Sequence, residues 1–155
     1  MLRKIMTAGI IAGALAAVPL AGCSSDTGSS NVSYADGVYE GTSQVHAGDE
    51  DGSVAGYGVV KLTITEGKIT DCEYNTYEPD GTIKDENYGK KDGEVANRDF
   101  YNKAQRAVQA CQKYADQLAA TGDINSVDAI SGATVSYDEL KEAVADALGK
   151  AQKTT

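Results

Sequence analysis

Apolar and polar residues alternate from Tyr57 to Thr65, with Val60, Leu62 and Ile64 on one side and Lys61, Thr63 and Thr65 on the other. A period of two predicts a half-buried strand. Glu66-Gly67 supplies a turn, and Ile69 to Tyr77 reads as the returning arm of a hairpin. The apolar phase slips between Ile69 and Cys72, which predicts a bulge near Asp71. A further short strand is predicted from Val38 to Val45, after the turn residues Asp36-Gly37. An acidic loop follows, from His46 to Ala55. Asp80-Gly81 is another turn, and Thr82 to Ala96 is polar, with no period that fixes its structure.

The period then changes. Phe100, Ala104, Ala107, Val108, Cys111, Ala115, Leu118 and Ala119 recur at three- and four-residue spacing, which predicts an amphipathic helix. Asn97 is its expected N-cap, and Thr121-Gly122 ends it. A second helix is predicted from Ser136, where Ser136 and Glu139 have the spacing of a capping box. Leu140, Ala143, Val144, Ala147 and Leu148 form its apolar stripe, and Gly149 is expected to close it. Strands first and helices later predict an α+β domain: a small antiparallel sheet built on a central hairpin, packed with two C-terminal helices.

The beginning of the chain follows neither period. Arg3 and Lys4 precede an almost unbroken apolar or small stretch from Ile5 to Pro19, and Leu20-Ala21-Gly22-Cys23 follows. A positive end, a short apolar run and small residues at a cleavage point predict a secretory signal over residues 1–22. The run is shorter than the roughly 20 residues that cross a bilayer core. The tetrapeptide resembles the lipobox of bacterial lipoproteins, in which the cysteine thiol takes the diacylglycerol. Cys23 is therefore the expected lipidated residue, with palmitate among the anchor's acyl chains. Residues 23–33 are mostly small and polar, with serine the commonest, and read as a flexible tether. The domain is expected over 34–150, with a tail at 151–155.

Removing residues 1–22 takes Arg3 and Lys4 from the 14 basic residues and none of the 23 acidic ones, so the mature formal charge is −11. So acidic a domain repels nucleic acid and anionic headgroups, which excludes nucleic-acid binding. The 133 residues that remain suffice for a core without metal or disulfide staples. Cys72 and Cys111 could pair outside the cytosol, or each could serve as a small buried hydrophobe; both readings stay open. His46, the single histidine, has no cysteine partner nearby and reads as part of a solvated loop rather than a metal site.

The segment that promises chemistry is Asp128-Ala129-Ile130-Ser131-Gly132-Ala133-Thr134, just before the second helix. Gly132 and Ala133 leave the backbone open to close approach. Thr134 presents a hydroxyl beside the free N–H groups of a helix start, where a phosphate is favoured. Asp138 and Glu139 in the first turn would weaken anion binding, and a covalent bond would make that tolerable.

These residues resemble the flavinylation motif of the FMN-binding domain. That domain occurs in one component of the sodium-translocating NADH:quinone oxidoreductase, in one component of the Rnf complex and in small extracellular lipoproteins. Gly56-Tyr57-Gly58 before a strand, and Glu66-Gly67-Lys68-Ile69 at the turn, are similar to the family's central hairpin, so the resemblance runs from about Tyr34 to Leu148. One departure stands out: Val59 and Val60 occupy the place of a Gly-Gly pair in the larger members of the family.

The resemblance implies that Thr134 carries FMN through a phosphoester, attached by a magnesium-dependent FAD:protein FMN transferase. Ser131, Gly132 and Ala133 would form the access loop, and Asp128 would belong to what the transferase recognises. Ser136, Tyr137 and Tyr57 complete the expected cofactor-binding set. Tyr57, Tyr77, Tyr88 and Tyr137 are candidates to stack on the isoalloxazine ring. The function so implied is electron transfer at the extracytoplasmic face of the cell membrane. Electrons would come from a membrane donor and pass to an extracellular or flavoprotein acceptor. No general acid, base or nucleophile is evident in the sequence, so an electron carrier is expected rather than an enzyme with its own substrate. Two alternatives are a flavin reductase acting on a small substrate and a cofactor-free binding or structural lipoprotein.

Overall fold

The computed structural model describes residues 32–48 and 54–153. The expected signal over 1–22, the lipidated Cys23 and the tether as far as Asn31 lie outside the described residues, as does the acidic stretch 49–53.

Three antiparallel strands, β1 (Gly37–Thr42), β2 (Tyr57–Thr65) and β3 (Lys68–Tyr77), form one sheet in the order β1-β2-β3. Helices α1 (Arg98–Thr121) and α2 (Thr134–Ala151) cover one of its faces, joined by a single 3-10 turn over Ile124–Ser126. This is the α+β arrangement that the two periods predict. The face carrying Val60, Leu62 and Ile64 is buried against the helices, while Lys61 and Glu73 face outward as a cross-strand pair at 3.4 Å.

The predicted bulge exists, one residue from its expected position. Thr63 pairs with Asp71 and Ile64 with Ile69, which leaves Thr70 as the extra residue. Thr70 is exposed, and its hydroxyl bonds back to the Thr63 carbonyl at 3.3 Å. The bulge keeps both Ile69 and Cys72 on the buried face.

Helix α1 begins and ends where its sequence signals place it. Asn97 Oδ1 accepts from the Phe100 N–H at 3.0 Å, and Gly122 adopts the left-handed conformation at φ 68° with its N–H bonded to the Leu118 carbonyl. Helix α2 differs from expectation at both ends. It starts at Thr134, two residues before Ser136, with Ala133 as N-cap and no side-chain capping bond. Ser136 and Glu139 therefore lie inside the helix and form no capping box. Gly149 does not close the helix, which continues to Ala151. Ala151 is buried, and its carbonyl accepts from the Ala35 N–H, while Gln152 bridges to Tyr34; these contacts hold the last turn in place.

β1 meets α2 at Gly41. A Cβ there would overlap the Ala143 carbonyl oxygen and lie 2.5 Å from the Ala147 nitrogen. Only the absence of a side chain allows so close a crossing, and the small Ala143 and Ala147 complete it.

Candidate functional site

The segment 127–133 forms no regular element, yet side chains from both helices hold it. Tyr114 is fully buried on α1. Its hydroxyl accepts from the Ile130 N–H at 2.8 Å and donates to the Ala133 carbonyl at 3.2 Å. Gln117 Oε1 accepts from the Asp128 N–H at 2.9 Å, and the Tyr137 hydroxyl donates to the Val127 carbonyl at 2.9 Å. Four backbone groups of an otherwise irregular loop are thus satisfied from within. Gly132 makes the final turn at φ 82°, where an L side chain is strained, and a Cβ there would meet only open space. The turn leaves Ser131, Gly132 and Thr134 exposed, with Ala133 tucked beneath them.

Thr134 is the first residue of an 18-residue helix whose N-terminus no side chain caps. The free donors and helix dipole at that end favour an anion. Asp138, the acid expected to oppose this, is paired with Lys141 Nζ at 2.8 Å.

A cavity of about 150 Å³ opens beside Thr134. Gly132 to Ser136 form one wall. The facing wall is apolar, from Phe100, Ala104, Ala107 and Val108 of α1. Sites that bury a drug-sized ligand run to roughly 300–1,000 Å³, so this cavity would receive part of a larger molecule tethered at its rim.

The cavity also has a polar side that the sequence did not reveal. The polar stretch after β3 folds back along α1, where the Gln105 amide donates to the carbonyls of Asp85 at 3.0 Å and Tyr88 at 2.9 Å. That placement brings Lys84 and Tyr88 to the cavity, with Lys84 Nζ 5.1 Å from the Tyr88 ring centroid and bonded to the Val54 carbonyl at 3.3 Å. Burial pushes the Tyr88 hydroxyl up to about 12 and pulls the Lys84 ammonium below its ordinary value. Opposite them is Glu139, only 2% exposed, with Oε1 lacking a hydrogen-bond partner. Burial raises its carboxyl above the usual range, opposed by Lys84 and His46. Gly56 and Gly58 make room for this pair, since a Cβ at Gly56 would strike Lys84 Nζ and one at Gly58 would lie 3.1 Å from Glu139 Cβ.

Of the residues singled out in the sequence, Gly132, Ala133, Thr134 and Ser136 line the cavity, whereas Asp128, Ser131, Tyr137 and Tyr57 do not. Asp128 is exposed on the loop leading to the motif. Tyr137 packs against Tyr114 at 5.5 Å and lies under Lys141. Tyr57 stacks on Tyr77 at 5.5 Å, so both of these candidate flavin-stacking rings have a partner within the fold. Among the four tyrosines considered, Tyr88 is the one that lines the cavity. His46 also departs from the solvated-loop expectation. It is half-buried, bridged to Gly56 through the backbone, with Nε2 3.2 Å from Glu142 Oε1.

Cys72 and Cys111 are both free and buried. Cys111 Sγ lies 3.9 Å from Thr76 Oγ1, four residues along β3 from Cys72. Four residues of strand span about 13 Å, too far for a bridge whose Cα atoms must come within about 7 Å. Burial pushes their thiols up to about 12 and about 11, which keeps them inert hydrophobes.

Among the described residues no group of His, Cys, Asp or Glu could hold a metal ion, and no helix is long and apolar enough to cross a membrane. The small α+β domain thus combines an uncapped helix start, an exposed hydroxyl and a cavity with one apolar wall. The chain belongs to the FMN-binding domain family, whose model matches residues 42–149. The crystal structure of a Clostridium perfringens protein shares the fold, with a TM-score of 0.53 at 19% identity over 76% of this chain and 88% of that one. The solution structure of a Clostridium thermocellum protein matches at 21% identity over 72% of this chain and 91% of that one, with a TM-score of 0.33. No curated protein sequence matches.

FMN is the cofactor this membership supplies, and the residues present fit it. The α1 wall and Tyr88 suit a flat ring system, and the α2 start suits a phosphate. Lys84 and Lys103 contribute cationic groups to the lining. The unpartnered Glu139 oxygen is the kind of buried polar atom that a ligand or solvent satisfies.

Proposed function

We propose that this protein is a lipid-anchored, extracytoplasmic electron carrier holding FMN covalently through a phosphoester on Thr134. The observation that carries the reading is the placement of Thr134: exposed, first in an uncapped helix, at the rim of a half-apolar cavity. In the attachment step the Thr134 hydroxyl oxygen attacks the flavin-side phosphorus of FAD. The new P–O bond replaces the one to the AMP phosphate, AMP leaves, and the hydroxyl proton passes to solvent. The partner for this step is a magnesium-dependent FAD:protein FMN transferase. The exposed Asp128, six residues ahead of Thr134, is accessible to such an enzyme.

Bound flavin would supply the redox chemistry, and the chain's residues supply its setting. The N–H groups at the start of α2 would hold the phosphate, and the Tyr114 hydrogen bonds keep the loop in the shape that exposes Thr134. Phe100, Ala104 and Val108 keep water from one side of the cavity. A covalent link prevents cofactor loss outside the cell, where the signal over 1–22 and Cys23 would place the domain. Electrons would arrive from a membrane donor and leave to an extracellular or flavoprotein acceptor. Produced together with the transferase, the protein is expected to keep flavin fluorescence through denaturing electrophoresis. A band that is dark after denaturation would reject the covalent link.

A further inference from the structure

We propose that Glu139 couples reduction of the flavin to uptake of one proton from solvent, and so sets a pH dependence on the protein's redox potential. The inference rests on the reading that FMN on Thr134 extends into the adjoining cavity.

Glu139 lies in the cavity wall, 2% exposed, with one carboxyl oxygen unpartnered. Thr134 and Glu139 line the same cavity, so a ring that enters it from the Thr134 hydroxyl shares the space with this carboxyl. A buried carboxylate with an unsatisfied oxygen is costly unless it is neutralised by a proton or a cation. The groups that face it are Lys84 and Tyr88 from the loop after β3, Tyr74 from β3, and Cys111 from α1. His46 ahead of β2 and Glu142 one turn further along α2 complete the set, with Lys103 of α1 also lining the cavity. Lys84 and His46 favour the carboxylate, while burial and Glu142 favour the protonated acid. Burial is the largest of these effects and holds the carboxyl above its ordinary value, and a further negative charge in the cavity raises it again.

Reduction provides that charge. Electrons from a one- or two-electron reductant add negative charge to the ring, the Glu139 carboxylate is disfavoured, and it takes a proton from solvent. The balance is oxidised flavin, electrons, carboxylate and one proton giving reduced flavin and carboxylic acid. Between the pH values at which the carboxyl titrates in the oxidised and reduced protein, the midpoint potential falls as pH rises. Outside that window this group adds no slope.

The test is a dithionite titration of the flavinylated protein and its Glu139→Gln variant, with redox dyes, over a pH series; intact mass of each sample reports its flavin. The expected result is a break in the wild-type plot of potential against pH that the variant lacks, with one FMN on both proteins. Identical plots for two flavinylated proteins would overturn the proposal while leaving the FMN reading intact. Absence of flavin from both masses would defeat the FMN reading and this proposal with it.

Unloaded protein gives an independent readout. Because the folded-state carboxyl is raised above its ordinary 4.5, its protonated form stabilises the fold at low pH, and that contribution is lost as pH rises through the folded value. Glu139→Gln is expected to remove this decline, and an unchanged stability profile would count against the proposal. Lys84→Met serves where Glu139→Gln does not fold. Without the cation opposing burial, the break in the potential plot moves to higher pH, and no movement would overturn the proposal.

Discussion

Thr134→Ala is expected to abolish covalent flavin while leaving the fold intact. The side chain is exposed at the first position of α2 and makes no capping bond, so its loss should change stability by no more than about 0.5 kcal/mol. Attachment, by contrast, depends wholly on the hydroxyl oxygen that forms the phosphoester. The variant made with the transferase should therefore melt within a few degrees of wild type and show no fluorescence after denaturing electrophoresis. Fluorescence equal to wild type would move the attachment site elsewhere. A large loss of stability would mean that Thr134 has a structural role its exposure does not show.

Gly41→Ala is expected to cause a large loss of stability. The new Cβ would overlap the Ala143 carbonyl oxygen and lie 2.8 Å from the Ala147 Cβ. Both belong to a helix fixed by Leu140, Val144 and Ala147 in the core. Neither neighbour is the movable end of a long side chain, so β1 must separate from α2. Overpacking usually costs about 1–3 kcal/mol, and a clash with backbone belongs at the upper end or beyond. For a domain of this size about 3 kcal/mol lowers the melting temperature by roughly 10 °C. Thermal denaturation followed by circular dichroism measures it, and a shift under a few degrees would show that the crossing is looser than described.

The parts of the fold legible in the sequence are those fixed by local chemistry. β2 alternates because one face is buried, and Asn97 and Gly122 bracket α1 because a side-chain acceptor and a left-handed residue are what helix ends need. The start of α2 departs from its sequence signal for a tertiary reason. Ser136 and Glu139 have capping-box spacing, but the chain enters the helix earlier because Gly132 turns it and Tyr114 holds Ile130 and Ala133. No local pattern shows that a tyrosine 20 residues upstream supplies those bonds.

The candidate site divides in the same way. The hydroxyl and its small-residue turn are contiguous in sequence, so Thr134 and Gly132 stand out there. Lys84, Tyr88 and Glu139 come from separate segments, and they meet because Gln105 draws a polar loop onto α1 and because Gly56 and Gly58 leave space. Glu139 reads as a helix cap in sequence and becomes a cavity carboxyl only once the helix start moves. The tyrosines show the opposite: Tyr57 and Tyr77 look available for stacking and in the fold stack on each other.

The most direct measurement is a mass spectrum of the peptide spanning Thr134, cut from the mature protein purified from its native membrane. The predicted peptide is heavier by one FMN less one water, with the modification on the Thr134 hydroxyl. A peptide of unmodified mass, from protein already processed at Cys23, would contradict the covalent flavin on which the proposed electron transfer depends.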